Sequence, residues 1–252
     1  MPPGDAPNDT TTRGHMLGGR VAYMQPATGF RAAIDPVLLA AAIPARPGER
    51  VLDGGTGAGA ALLCLAARVP GLVGLGIDRD ASLIRLARAN ALANAWPDLW
   101  FAAGDMESCP AGTGTMDHAF ANPPYHPENG TVSPETARDT AKRATAGLLA
   151  RWAAALARPL RHRGTLTFIL APWMLEDALA ALRDAGAPAE TIFPIWPKEG
   201  RKARLFLLRG RKNGRAQLAI GPGLILHTPS GAFRADAETI LRDGAALALD
   251  GA

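Results

Sequence analysis

The segment VLDGGTGAGA, residues 51–60, constrains this chain more than any other: an apolar run ends in Asp53 and passes straight into glycines before helix-forming residues resume. A turn of that kind needs left-handed backbone angles that glycine adopts without a steric cost, and the free amides that open the next helix can face a ligand. From about Glu49 onward, strand-like and helix-like segments alternate, which specifies an α/β domain with a largely parallel sheet. The pattern predicts seven strands, at Arg50–Asp53, Leu72–Asp78, Leu99–Ala102, Met116–Asn122, Thr165–Leu170, Thr191–Ile195 and Arg204–Leu208. Helices are predicted over Ala60–Arg68, Ala81–Ala93, Ala144–Leu160 and Met174–Ala185, with Leu83, Leu86 and Ala87 on one buried face. The glycines also scan as G-x-G-x-x-A from Gly55, so on this segment alone a dinucleotide-binding dehydrogenase stays open.

Upstream, residues 1–15 lack hydrophobic periodicity and read as a mobile tail. Met16–Met24, with Gly18-Gly19 inside it, reads as a small hairpin, and Asp35-Pro36 reads as the N-cap and first residue of a helix. With 252 residues, 48% hydrophobic and 20% charged, the chain can bury a sizeable core. The expected organisation is one domain over 16–252: hairpin and helix at 16–48, core at 49–212, extension at 213–252. Cys64 and Cys109 are too few for a disulfide scaffold and have no metal-site spacing, so no metal is expected. Cys64, in an apolar helical pattern, reads as a buried small hydrophobe. The first residues carry no apolar signal segment and no run is long enough to span a bilayer, so a soluble, cytoplasmic protein without membrane partners is expected.

Three further strand ends carry chemistry. Asp78 closes the strand after the glycine turn, where a carboxylate accepts hydrogen bonds from a ribose diol in nucleotide-binding α/β folds. Asp105 and Met106 follow the third strand, placing a carboxylate and a backbone amide where a purine ring could be met. The fourth strand ends in Asn122-Pro123-Pro124-Tyr125. Two prolines fix φ near −65° and remove two backbone donors, leaving carbonyls as pure acceptors; the Asn122 side chain adds another, and Tyr125 offers a flat face for stacking. That set suits an NH2 group.

These motifs resemble class I S-adenosylmethionine-dependent methyltransferases: Asp53, Gly55, Gly57 and Gly59 match the family's D-x-G-x-G-x-G, and its NPPY motif marks transfer to a planar nitrogen, a base amine or a glutamine amide. Gly54 departs from the pattern, since relatives carry an aliphatic residue there; the departure is expected to loosen the strand end without abolishing cofactor binding. The resemblance implies a Rossmann-like sheet of seven strands, mostly parallel with an antiparallel last strand and helices on both faces. It implies S-adenosyl-L-methionine as cofactor, held by Asp53, Gly55, Thr56, Gly57, Gly59, Asp78, Arg79, Asp105, Met106 and Asn122, with Asn122, Pro123, Pro124 and Tyr125 catalytic. The flanks GFRAAIDPVLLAAAI and LHTPSGAFRADAETILR are similar to those of the branch that methylates adenine N6 next to the anticodon of a valine tRNA. On that basis tRNA is the expected partner. Methylation of a protein glutamine and a non-catalytic, cofactor-binding RNA-binding protein are the alternatives.

The basic residues are not spread evenly. Segment 198–215, KEGRKARLFLLRGRKNGR, holds eight basic residues against Glu199 alone, which more than accounts for the net +4 of the chain. Lys198, Arg201, Lys202 and Arg204 lie at the expected hairpin between the last two strands, where they could meet phosphates, and Arg31 is a further candidate contact. Trp152 and Trp173 read as packing residues; Trp196 differs only in adjoining the basic run, and His126 reads as incidental.

Overall fold

The computed structural model describes residues 11–28, 34–124 and 147–249. A two-stranded hairpin, β1 (Thr11–Met16) and β2 (Val21–Pro26), turns at Leu17–Gly19 and precedes helix α1 (Asp35–Ala42). Thr11–His15, expected to belong to the N-terminal tail, instead pair with Ala22–Pro26, and residues 1–10 lie outside the described residues. Asp35 sits in the first turn of α1 behind the N-cap Ile34, not at the cap itself, and Pro36 occupies the start of the helix as expected.

The core then alternates β3 (Arg50–Gly54), α2 (Ala60–Arg68), β4 (Val73–Asp78), α3 (Ala81–Ala93), β5 (Leu99–Ala103), β6 (Met116–Ala121), α4 (147–157), β7 (Leu160–Leu170), α5 (Leu175–Asp184), β8 (Ala189–Lys198) and β9 (Leu205–Arg211). Two short strands follow, β10 (Ala219–Ile220) and β11 (Leu224–His227), and helix α6 (Ala235–Asp243) closes the described chain. The large sheet has the order β10-β8-β9-β7-β6-β3-β4-β5, with β11 also on β8. It thus holds nine strands where seven were expected, because the extension after residue 213 adds β10 and β11 beside β8. Every neighbouring pair is parallel except those made by β9, which runs antiparallel to both β7 and β8.

Parallel strands covered on both faces must be apolar on both faces, and successive residues divide accordingly. Val51 and Phe120 join α1, α2, α3 and α6 in one core, whereas Leu52, Ala119 and Ala121 join α4 and α5 in the other. On α3 the fully buried line runs through Ile84, Ala87 and Ala91; Leu83 and Leu86 are only partly buried, so the buried face is turned one residue from the expected one. Cys64 is buried, as expected. β7 begins earlier than predicted and carries an irregularity: Met116 pairs with Leu160 but His118 with Thr165, and the intervening Arg161 bonds Glu49 and Asp117 at the amino edge of the sheet.

Asn90 ties the hairpin to this core. It is fully buried; its Oδ1 accepts from Met24 N (2.8 Å) and its Nδ2 donates to Met24 O (2.9 Å) and Ala58 O (3.0 Å). Asn94 repeats the double bond to the backbone of Ala22. Replacing Asn90 with Ala strands three polar groups, and at about 1–3 kcal/mol for each unsatisfied buried group, some of them reaching water, a net loss of roughly 3 kcal/mol is expected. Urea denaturation of N90A against wild type measures it; a change below about 0.5 kcal/mol would mean that the hairpin is held elsewhere.

Candidate active site

The strand order reverses between β4 on one side of β3 and β6 on the other. Crevices outside the carboxyl ends of parallel strands at such a switch are where α/β sheets bind ligands. The glycine loop that leaves β3 is shaped by three left-handed residues, Gly55 (φ 66°), Gly57 (φ 56°) and Gly59 (φ 89°). Two carboxylates hold it from below. Asp53, 2% exposed, accepts from Thr56 Oγ1 at 2.6 Å, and Asp78 Oδ2 accepts from Gly57 N at 2.9 Å while its Oδ1 accepts from Asp80 N. The backbone adds Thr56 N to Ile77 O and Gly59 N to Thr56 O. Asp78 therefore positions the loop, and each of its oxygens keeps a further lone pair for a ligand. Over Gly57 the space is open, since an added Cβ would meet nothing within 4 Å.

The other side of the loop is closed by α4. A Cβ on Gly55 would fall 2.5 Å from the Trp152 ring, and one on Gly54 would fall 3.0 Å from both Met106 Sδ and Leu156 Cδ2. The bare Gly54 thus lets Met106 and α4 close down on the strand end, which explains the departure from an aliphatic residue by packing and not by looseness. Beyond β5, Asp105 caps the 3-10 turn Met106–Ser108, accepting from Glu107 N; Met106 is buried and Asp105 exposed. Arg151 of α4 pairs with Glu107 at 2.7 Å, and Arg158 donates to Cys109 O.

β6 ends one residue before Asn122, whose partly buried side chain leads into buried Pro123 and exposed Pro124. Asn122 Oδ1 is buried and, among the described residues, has no hydrogen-bond partner. Asp53, Gly55, Thr56, Gly57, Gly59, Asp78, Arg79, Asp105, Met106, Asn122, Pro123 and Pro124 all lie at the carboxyl ends of β3, β4, β5 and β6 or on the segments that follow them. Tyr125, His126 and Arg31 lie outside the described residues. Asn90, absent from the sequence reading, anchors the hairpin at Ala58 inside the glycine loop; a polar residue on an otherwise apolar helix face is the signal that could have found it.

The basic run divides by strand direction. Lys198, Arg201, Lys202 and Arg204 surround the β8–β9 tip on the carboxyl edge, with the three arginine and lysine side chains after residue 200 exposed and Lys198 donating to Pro229 O. Arg209, Arg211 and Lys212 are carried by β9 toward the opposite edge, where Arg209 is buried against Ala42 O, Arg211 pairs with Glu190, and Lys212 donates to Ala185 O. Trp196 packs over Gly223. Among the described residues no group of three His, Cys, Asp or Glu side chains could hold a metal ion, and no helix is long and apolar enough to cross a membrane.

Residues 32–151 match the methyltransferase small domain. Over 103 residues the chain is 42% identical to a release factor glutamine methyltransferase of Rhodospirillum rubrum, covering 40% of this chain and 31% of that one, so it spans about a third of that relative's length. It is 28% identical to a tRNA1(Val) (adenine(37)-N6)-methyltransferase of Aeromonas hydrophila over 81% of this chain and 85% of the other. Among solved structures it resembles a predicted O-methyltransferase of Agrobacterium tumefaciens, with 25% identity, a TM-score of 0.70, and coverage of 85% of this chain and 98% of that one.

Burial pushes the Asp53 carboxyl from 3.8 up to about 7, with the nearby Asp78 charge adding to the rise and the Thr56 hydroxyl opposing it. Folding then takes up a proton between those values, so this group's stabilising contribution is present below about pH 4 and is lost as pH rises through about 7. The thermal midpoint of the ligand-free protein is expected to carry a downward component between about pH 4 and 7 that D53N lacks. Superimposable pH profiles for the two proteins would mean that Asp53 is ionised throughout.

Proposed function

We propose that this chain, which carries a methyltransferase small domain over residues 32–151 on the class I methyltransferase fold, transfers a methyl group from S-adenosyl-L-methionine to the exocyclic amine of an adenine in tRNA. The observation that carries the reading is Asn122 Oδ1, a buried acceptor at the switch point of the sheet that has no partner among the described residues. An unsatisfied buried acceptor costs about 1–3 kcal/mol, a cost relieved when a substrate N–H arrives.

The residues at the switch point fit the cofactor by their chemistry. Asp53 is a buried carboxylate suited to a cationic amino group, the open face of Gly57 admits a ligand against the backbone, and the spare lone pairs of Asp78 suit a ribose diol. Asp105 and Met106 lie at the next strand end for the adenine, with Arg79 exposed beside Asp78, and Gly55, Thr56 and Gly59 complete the cradle. When bound, the cofactor supplies an electrophilic methyl group on a sulfonium sulfur.

Asn122 Oδ1 and the Pro123 carbonyl accept the two amine hydrogens, drawing the nitrogen lone pair out of the ring and aiming it. The prolines keep that pair of acceptors rigid, and alignment supplies much of the rate. Tyr125 stacks on the base, which must leave its own stack to enter. Two adjacent acceptors suit a group with two hydrogens, whereas a hydroxyl nucleophile calls for a base. A glutamine amide also carries two hydrogens, and the 42% identity to the glutamine methyltransferase favours it as the second reading. The tRNA reading is preferred because the likeness to the adenine methyltransferase extends over 81% of the chain and the carboxyl edge exposes cations beside the site.

Asn122→Ala is expected to leave cofactor affinity within about two-fold and to lower methyl transfer by about 100-fold, the scale for losing one oriented hydrogen bond in a transition state. Radiolabelled transfer to bulk tRNA and to a release factor, followed by nucleoside mass spectrometry, checks both the residue and the substrate; label on the protein acceptor alone would select the glutamine reading.

If about four of Lys198, Arg201, Lys202, Arg204 and Arg31 meet phosphates, the affinity for tRNA should fall with a log-log salt slope of order −3 to −4. Binding measured from 50 to 200 mM salt that does not change would remove these cations from the interface.

A further inference from the structure

β7 ends at Leu170, and the next residues form a tight 3-10 turn, Pro172–Met174. Met174 is fully buried and its N–H bonds Ala171 O at 2.9 Å, yet Trp173 between them is 46% exposed. A proline on one side and a core anchor on the other hold the indole outward. The other tryptophans are placed differently: Trp152 packs on Gly55, Trp196 on Gly223, Trp96 against the core, and Trp100, although exposed, is on β5 at the far edge of the sheet.

Register locates Trp173. Ala121 pairs with Phe168, so continuing the two strands sets Asn122 beside Ile169 and the Pro123-Pro124 turn beside Leu170 and Ala171. On the other side Leu170 pairs with Phe206, so the end of β7 also adjoins the start of β9, which follows directly on Arg204. Trp173 therefore stands on the carboxyl edge between the Asn122 turn and the exposed cations Arg201, Lys202 and Arg204 of the β8–β9 tip.

We infer that Trp173 is a stacking platform for an unpaired base of the RNA that flanks the nucleotide presented to Asn122, with the cations of the neighbouring tip on its phosphates. A flat exposed ring beside positive charge is the combination that binds single-stranded nucleic acid, because every base has a face to stack and every nucleotide a phosphate. A strand with one base drawn out toward Asn122 leaves its neighbours unstacked within reach of this ring. The assignment revises the sequence reading of Trp173 as a packing residue, and it rests on the proposal that the substrate is RNA.

The test titrates bulk tRNA into wild type, W173A and W173F at fixed salt, following tryptophan emission and, separately, binding by filter retention. Wild-type emission should be quenched; W173F should bind within about two-fold but lose most of the quench; W173A should bind about ten-fold more weakly. Both variants should bind cofactor as wild type does. Undiminished affinity in W173A, or an undiminished quench in W173F, overturns the platform while leaving the RNA reading intact. Failure of the wild type itself to bind tRNA, with methylation of a release factor, overturns the RNA reading and the platform with it.

Discussion

Two carboxylates set beneath the glycine loop are the constraint from which the rest of the site is measured. Asp78 accepts from Gly57 N and Asp53 from Thr56 Oγ1, so a segment with three left-handed residues is held by two neighbouring strands at once. The Asp78 bond requires β3 and β4 to be parallel and in the register that pairs Gly54 with Ile77. The same parallel arrangement brings the end of β6, and with it Asn122, to the other side of β3. The sheet order is thus not background to the site, because a shift in the β3–β4 pairing would separate the loop from Asp78 and a shift in the β3–β6 pairing would displace it from the NPP turn.

The arrangement was legible in the sequence where chemistry is local. Each left-handed glycine of the loop, the strand-end aspartates and the NPP turn announce themselves within a few residues, since the need for positive φ or for a fixed φ is a property of one position. What could not be read depends on partners distant in the chain. Gly54 departs from the aliphatic pattern because Met106 and Leu156 fill its side-chain space, and the nearer of those lies more than fifty residues away. Asn90 is a polar residue on a buried helix face whose partners are on β2 and the glycine loop. β10 and β11 are too short, and too interrupted by Gly221-Pro222-Gly223, to show a period of two, so only the edge of β8 reveals them.

The basic run shows how the same composition divides once strands have directions. β9 crosses the sheet from the carboxyl edge to the amino edge, so cations adjacent in sequence end on opposite sides. Arg209, Arg211 and Lys212 satisfy carbonyls or pair with Glu190, and so belong to the architecture. Arg201, Lys202 and Arg204 are exposed on the carboxyl edge, the edge that also carries the Asn122 turn. Counting charge in a window of sequence overstates what a polyanion would meet, whereas following the strand leaves a smaller, better placed set.

α4 is where the two halves of the site meet. Its Trp152 lies against Gly55, its Leu156 against Gly54, its Arg151 reaches Glu107, and its Arg158 holds Cys109 O. The Arg151–Glu107 pair is about half exposed at both ends, and such pairs contribute about 0–1 kcal/mol. Coupling through α4 is therefore steric: the indole and the leucine are in contact with bare backbone, and neither can advance without moving the glycine loop. A side chain at Gly55 would be wrong twice over, by its positive φ and by the ring it would strike, while one at Gly54 would be wrong only by packing. The first glycine is thus required by the loop and the second by the helix that covers it.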